Sequence, residues 1–138
     1  MKFVSPLEEA ILLRRYKRFL ADVQFPDGTE TTVHCPNPGA MLGVAPEGAP
    51  CWVSRSPNKT RKLPFTLEMV ECEGPDGATK VGINTHHPNK IAEEAIQAGI
   101  IDGLTPDLPL RREVKYGEEK SRIDILLEGP QKTWVEVK

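Results

Sequence analysis

The chain has 138 residues, of which 38% are hydrophobic and 28% charged, with a formal net charge of −2. This length suits one ordinary domain or two small ones, and the hydrophobic fraction is sufficient for a globular fold. The near-zero net charge is not that of a uniformly basic nucleic-acid binder. The first residues hold no apolar run long enough for secretion or membrane spanning, so we expect a cytoplasmic protein.

The charge is unevenly distributed along the chain. Residues 1–65 carry nine Lys and Arg against six Asp and Glu, a net +3, and residues 66–138 carry nine against fourteen, a net −5. This asymmetry suits a phosphate-binding front followed by a carboxylate site that needs a cation, although halves of small proteins also differ this much by chance. The cysteines Cys35, Cys51 and Cys72 form no C-x-x-C pair, so we expect buried thiols in a reducing compartment.

The segment 5–23 admits two structures. Ser5-Pro6-Leu7-Glu8 has the pattern of a capping box and favours a helix. The alternation of side chains over residues 18–23 equally favours strands. Pro26-Asp27-Gly28 then predicts a turn, and the β-branched residues of 29–34 predict a returning strand.

Residues 35–84 consist of short apolar runs separated by Pro and Gly. The segment CPNPGAMLGVAPEGAP (35–50) predicts an ordered loop with packed side chains, and 56–62 predicts a polar basic loop. Strands are predicted over 51–54, 65–72 and 79–84, with a turn at 74–77. Short strands separated by turns favour a small β-barrel, which we assign to residues 1–84.

The pattern changes after residue 84. Asn89 is placed to cap a helix that extends to Ala98, with apolar residues 91, 95 and 98 on one face and Gly99 at its end. Strands are predicted over 110–116, 121–128 and 133–138, with turns at 117–120 and 129–130. Residues 85–138 therefore form a second αβββ domain, and the whole chain is of the α+β class.

Three functional groups are placed together in the last two strands. Asp124 lies within RIDILLE, and Glu136 and Lys138 alternate in WVEVK, which puts both on one strand face. Hairpin pairing would bring Asp124 close to Glu136. Two carboxylates on neighbouring strands suit Mg²⁺ or Mn²⁺, and the Lys could stabilise the attacking water or a phosphate charge. This D-x(n)-E-x-K arrangement is typical of metal-dependent phosphodiesterases, but it also fits a cross-strand ion pair.

Two further acids could join this site. Glu94 on the preceding helix is a candidate third metal ligand beside Asp124 and Glu136, and Glu113 on the first strand is another candidate acid. The alternative for Glu94 is that it belongs, with Glu93, to the solvated face of the helix.

Basic residues cluster in two segments of the first domain, near aromatic side chains. Such clusters neutralise phosphates, and aromatic rings can stack bases. The aromatic residues Tyr16, Phe19 and Trp52 are expected to be core residues instead. The predicted DNA-contacting residues are Arg14, Arg15, Lys17, Arg18, Arg55, Lys59, Arg61 and Lys62.

Several segments together resemble one family. RRYKRFLADV, HCPNPGAM, the S-x-N-x-x-RK-x-P stretch, EVKYG, SRID and VEVK occur in the order found in the sugar fermentation stimulation protein A (SfsA) family. The resemblance implies an OB-type barrel followed by a PD-(D/E)xK nuclease-like fold. It also implies DNA binding of weak or no sequence specificity, linked to regulation of sugar (maltose) metabolism. The nuclease-like motif maps onto Asp124, Glu136 and Lys138.

Members of that family continue beyond the E-x-K strand, usually with a Ser next, whereas this chain stops at Lys138. We therefore expect an incomplete nuclease-like sheet, completed by a missing C-terminal segment or by a second copy in a homodimer, and little or no cleavage by this chain. Three hypotheses remain at this point: a DNA-binding protein, a metal-dependent nuclease, and an interaction module that keeps the motif as a relic.

Overall fold

The chain divides into two compact units in the computed structural model, which describes residues 1–118 and 121–138. The front unit is Lys2–Thr85, and the back unit is His86–Lys138 together with Met1. Part of the predicted 117–120 turn, Glu119 and Lys120, lies outside the described residues.

The front unit is a curled six-stranded sheet. Its strands are β1 (Leu7–Tyr16), β2 (Leu20–Gln24), β3 (Glu30–His34), β4 (Pro50–Arg55), β5 (Phe65–Gly74) and β6 (Gly77–Gly82). The order is β3-β2-β1-β4-β5-β6, and β3 also meets β5 through one parallel pair, His34 with Thr66. The front unit is therefore a sheet whose strands β3 and β5 meet at a single-pair seam, and the closed barrel that the sequence predicted is not shown.

The first segment is a strand, so the helical alternative suggested by Ser5-Pro6 is wrong. β1 pairs with β4 over Leu7–Ile11 and with β2 from Ile11 onwards, where a register shift between Leu12 and Arg14 bends it. Because Leu7–Ile11 of β1 pair with β4 and Ile11–Tyr16 pair with β2, ladder hydrogen bonds support the strand along its whole length in a way that a local cap could not. The alternating pattern, with Ala10 and Leu12 buried, was the informative signal.

The Pro/Gly-rich segment between β3 and β4 is an ordered loop, as predicted. Cys35, Met41 and Ala49 belong to the front-unit core, and the Arg15 side chain donates to the carbonyl oxygens of Asn37 and Gly39 at 2.6 and 2.7 Å. All three cysteines are free and buried in this core, which confirms the expected buried thiols.

The back unit has one helix followed by three strands, as predicted. These are α1 (Pro88–Gln97), β7 (Leu110–Tyr116), β8 (Ser121–Leu127) and β9 (Thr133–Val135), in an antiparallel sheet of order β7-β8-β9. β9 ends three residues earlier than predicted. Ile96 of α1 packs with Ile125 and Leu127 of β8 in a small core.

Two predicted details of the helix are wrong. The N-cap is His87, with Pro88 in the first turn, so Asn89 lies inside the helix instead of capping it. The buried residue of α1 is Ile96, 1% exposed, whereas Ile91 of the predicted apolar face is 50% exposed. The predicted stop is confirmed, because Gly99 has φ +66° and its N–H donates to the Ile96 carbonyl.

Candidate functional site

Three carboxylates occupy one cross-strand row of the back unit. The pairs Arg112–Ile125 and Val114–Ile123 place Glu113 opposite Asp124. The pair Ile125–Val135 places Glu136, the next residue, opposite Asp124 on the other side. Directly opposite residues of antiparallel strands project to the same face. Because β9 ends at Val135, Glu136 is level with Asp124 only by extension of the ladder, and the predicted closeness of these two carboxylates stays a prediction.

Asp124 lies at a position of β8 where regular strand pairing is interrupted towards β7 and ends towards β9. Glu113 has φ +52°, an uncommon conformation for a residue with a side chain, and β9 ends at Val135. The Asp124 carboxylate accepts one hydrogen bond from the Val137 N–H at 2.9 Å and one from Asn89 Nδ2 at 3.0 Å. Its half-buried carboxylate is thus held in place from two sides.

Asn89 links two of the three acids. Its Nδ2 also donates to Glu113 Oε1 at 3.3 Å, so one amide group bridges Glu113 and Asp124. Nothing in the sequence marked Asn89 for this role, because its position after Pro88 favoured a cap. Glu113, by contrast, is one of the candidate acids that the sequence offered for this site.

Glu136 and Lys138 both face solvent. Their side chains are 57% and 81% exposed, and Lys138 Nζ lies 3.4 Å from Glu136 Oε1. The predicted sharing of one strand face is consistent with this contact. At this exposure the ion pair adds little to stability, so it leaves both groups available for a ligand.

Glu94 is engaged elsewhere in the back unit. Its carboxylate pairs with the N-terminal ammonium of Met1, and this hydrogen bond lowers the pKa of Glu94 below its ordinary value. Over residues 1–118 and 121–138, no three His, Cys, Asp or Glu side chains lie close enough together to hold a metal ion. Asp124, Glu136 and Glu94 therefore do not form a ready-made ligand set.

Four of the eight predicted DNA-contacting residues make contacts within the front unit. Arg14 pairs with Asp22 at 2.8 Å, a bond that raises the pKa of Arg14 and orients it over the Tyr16 ring. Arg55 pairs with Glu8 at 3.2 Å, and Arg61 donates to Thr66 Oγ1 at 2.9 Å. Arg15 supports the 35–49 loop as described above.

The other four are exposed and lie in two loops. Lys17 and Arg18 form the turn between β1 and β2, both with positive φ, and Lys59 and Lys62 lie in the loop between β4 and β5. The residue pairs Tyr16–Leu20, Leu20–His34 and His34–Thr66 connect the two loops across the sheet. Both loops therefore approach the β3–β5 seam.

Phe19 in the first of these loops is 48% exposed, so the expectation that it is a core residue is wrong. Its ring stacks near His34, with centroids 6.5 Å apart, beside Lys17 and Arg18. Trp52 is 8% exposed, as expected of a core residue. Among the described residues, no helix is long and apolar enough to cross a membrane.

Comparison with known proteins shows similarity over the whole chain. Residues 13–83 match the family model described as SfsA N-terminal OB domain, and residues 86–138 match the sugar fermentation stimulation protein RE domain. Sugar fermentation stimulation protein homologs of Rhodospirillum centenum, Maricaulis maris and Geobacter metallireducens are 57%, 53% and 50% identical to this chain over its full length.

One solved structure is also similar. Pyrococcus furiosus SfsA, determined in complex with Ca²⁺, superposes with a TM-score of 0.75 at 25% identity and covers 96% of this chain and 54% of that protein. The chain spans 57–58% of the length of the three relatives named above. Two adjacent family models, three relatives at 50% identity or more and a matching fold lead to one conclusion: this chain belongs to the sugar fermentation stimulation protein (SfsA) family.

Proposed function

We propose that this protein binds DNA through the front unit, with little sequence specificity. The observation that supports this most directly is the convergence of two basic loops on the β3–β5 seam of an OB-type sheet. OB-folds bind oligonucleotides with the loops between strands 1 and 2 and between strands 4 and 5, and the exposed residues here occupy those loops.

In this proposal the exposed and the engaged basic residues have different roles. Lys17, Arg18, Lys59 and Lys62 contact the phosphates, which carry no sequence information. Arg14, Arg15, Arg55 and Arg61 instead shape the strands and loops that present them. Phe19 stacks on an unpaired base, a contact that typically contributes about 1–3 kcal/mol per base and tolerates any sequence.

The test is the affinity for a fluorescent DNA oligonucleotide as a function of salt. We expect binding to fall steeply as salt rises, because counterions are released from the phosphates. The variant Lys59→Gln/Lys62→Gln should bind more weakly and show a shallower salt slope. Lys2→Gln/Lys132→Gln, which removes two exposed lysines outside the two loops, is the matched control. An affinity independent of salt, or an equal loss in the control, would reject the proposal.

A second candidate function is divalent-cation-dependent cleavage of phosphodiesters by the back unit. It is favoured by the row of carboxylates and by the Ca²⁺ complex of the Pyrococcus furiosus relative. The donor set fits a hard cation, since Asp124, Glu136 and Glu113 supply only oxygen ligands. A bound Mg²⁺ or Mn²⁺ would supply charge at the phosphate and lower the pKa of a water molecule.

The remaining roles belong to the chain itself. Asp124 and Glu136 would hold the cation, and Asn89 and the Val137 N–H would keep the Asp124 carboxylate oriented. The Lys138 ammonium would leave its contact with Glu136 and bind the scissile phosphate or the attacking water instead. Glu94 could join as a third ligand only by releasing the Met1 ammonium.

Cleavage of DNA in Mn²⁺, measured on the full-length protein of the family, separates these functions. We expect Asp124→Ala and Lys138→Ala to abolish cleavage and to leave DNA affinity within about twofold, because the proposed DNA contacts lie in the front unit. Cleavage that persists in both variants would exclude this site. Failure of the protein to bind Mn²⁺ or Ca²⁺ by calorimetry would leave the motif as a relic in an interaction module.

The names of the relatives bear on the biological role. Because they are called sugar fermentation stimulation protein homologs, we propose that DNA binding by this protein serves the regulation of sugar (maltose) metabolism. The three free, buried cysteines suit a reducing compartment such as the cytoplasm. Transcript levels of sugar-utilisation genes with and without the Lys59→Gln/Lys62→Gln variant would test the regulatory role.

A further inference from the structure

The front unit contains a groove that differs in charge from the basic loops. Two cavities of about 580 and 420 Å³ share Glu9, Phe25 and Pro26 and form one continuous depression. The larger is lined by two aromatic side chains, Phe25 and Phe65. Around it stand four carboxylates and a single guanidinium, that of Arg55. We name this depression the β1–β3 groove and define it by Glu8, Glu9, Phe25, Asp27, Glu30 and Phe65.

Cations already occupy aromatic and acidic positions in and beside this groove. The Arg55 guanidinium lies 4.4 Å from the Phe65 ring centroid and pairs with Glu8 at 3.2 Å. In the adjoining cavity, Trp52 donates to Glu9 at 3.3 Å and carries the Lys80 ammonium 4.2 Å from its ring. In two places on this surface, therefore, a cation of the chain itself lies over an aromatic ring beside a carboxylate.

The part of the groove around Phe25 also has an aromatic ring beside carboxylates. Among the contacts described, no Lys or Arg side chain lies over that ring. Phe25 packs at 5.1 Å against Phe65, and the carboxylates of Asp27 and Glu30 lie at its edge. Glu30 accepts a hydrogen bond from the neutral Gln24 amide, and Asp27 accepts one from the Thr29 N–H. Both donors are neutral, and no ion pair with a cation is described for either acid in residues 1–118 and 121–138.

Two strand segments beside the groove have a side that no described ladder uses. Leu7–Ala10 of β1 pair with β4 only, because the pairing with β2 begins at Ile11. Glu30–Val33 of β3 pair with β2 only, because the contact with β5 is limited to His34. An extended peptide can add to such an edge through its backbone and place alternate side chains in the groove.

We propose that the β1–β3 groove binds an extended, positively charged segment of a partner protein, with alternating basic and aliphatic side chains. The basic side chains lie over Phe25 between Asp27 and Glu30, and the aliphatic ones pack towards Ile11 and Trp52 in the smaller cavity. The acidic rim repels DNA, so the groove and the basic loops serve different partners. This inference is independent of the proposed DNA binding.

The probe is a blocked octapeptide that alternates arginine with valine, titrated into the full chain at low salt. Amide chemical shifts in NMR spectra locate the site, and fluorescence anisotropy gives the affinity. The same peptide with citrulline in place of arginine keeps the shape and removes the charge. We expect the arginine peptide to shift the amides of Glu8, Glu9, Phe25 and residues 27–31, and the citrulline peptide to bind at least about fivefold more weakly.

The variant Glu9→Gln/Glu30→Gln should weaken the arginine peptide about five- to tenfold, because glutamine keeps the hydrogen-bond acceptors and removes two charges. Glu73→Gln/Asp76→Asn removes two exposed charges elsewhere in the front unit and should leave the affinity unchanged. Equal weakening in both variants, equal binding of the citrulline peptide, or shifts outside the groove would overturn the proposal. Displacement of the peptide by an equal concentration of spermine would instead assign the groove to polyamines.

A duplex added to the peptide-bound protein distinguishes this inference from the proposed DNA binding. We expect both ligands to bind together. Loss of peptide binding with DNA binding intact would overturn only the groove, and the reverse result would overturn only the DNA-binding proposal. Concentration-dependent self-association that the groove variant abolishes would identify a second copy as the occupant and reject a separate partner.

Discussion

Asp22 accepts three hydrogen bonds in the front unit, from Thr32 Oγ1 at 2.7 Å, Arg14 Nε at 2.8 Å and Tyr16 Oη at 2.9 Å. Burial alone would raise the pKa of this carboxyl, but the three hydrogen bonds outweigh it and lower the pKa below the ordinary value of 3.8. A lowered folded-state pKa contributes stability that is present above pH 3.8 and is lost as the pH falls through the folded value.

We expect Asp22→Ala to lower the free energy of unfolding by about 1–3 kcal/mol at pH 7, because it removes the charged acceptor of the three bonds. The difference from wild type should shrink below pH 4. Denaturant titrations from pH 3 to pH 7 measure both effects. Asp76→Ala in the exposed β5–β6 turn is the control, and a difference from wild type that is constant with pH would contradict the assignment to Asp22.

The reactivity of the three cysteines reports whether their positions in the front-unit core are buried. Burial raises the pKa of the Cys51 thiol to about 12 and also raises that of Cys72, so neither supplies a reactive thiolate at neutral pH. We expect a thiol reagent to label Cys35, Cys51 and Cys72 only after unfolding, with rates that follow the denaturant. Fast labelling of any of the three in the native protein would contradict the buried positions.

At the scale of an element, the apolar periodicity of helix α1 does not decide which of its faces is buried. Both Ile91 and Ile96 fit a helical pattern, and the sequence favoured the face of Ile91. The position of the β7–β8–β9 sheet decides the face, because Ile125 and Leu127 offer an apolar surface to Ile96. The same rotation points Asn89 towards Asp124, where it serves a carboxylate instead of capping the helix.

We therefore expect Ile96→Ala to lower the free energy of unfolding of the back unit by about 2–5 kcal/mol, through lost burial and a residual cavity. Ile91→Ala removes the same atoms from an exposed position and should cost less than about 1 kcal/mol. Thermal unfolding followed by circular dichroism compares the two. Equal losses would mean that α1 packs on the sheet through another face.

At the scale of the whole molecule, binding of a cation should raise the melting temperature of the protein. A ligand that binds only the native state raises the melting temperature with its concentration. We expect millimolar Ca²⁺ to raise the melting temperature of the wild-type chain and to have no effect on Asp124→Asn. Glu128→Gln, an acid of the same unit outside the carboxylate row, should retain the increase. An increase that survives in Asp124→Asn would place the ion elsewhere.

The sequence alone predicted the helix and most strands of this protein, because β-branched runs and Pro/Gly turns are local properties. Residue counting between strands also predicted that Glu136 lies level with Asp124. The sequence also contained the ordered segments that identify the family. Tertiary structure decided the rest. Four features depend on partners that are distant in the chain, and no local pattern specifies such a partner. They are the β1 strand, the buried face of α1, the Asn89 bridge to Glu113, and the meeting of two basic loops near His34 and Thr66.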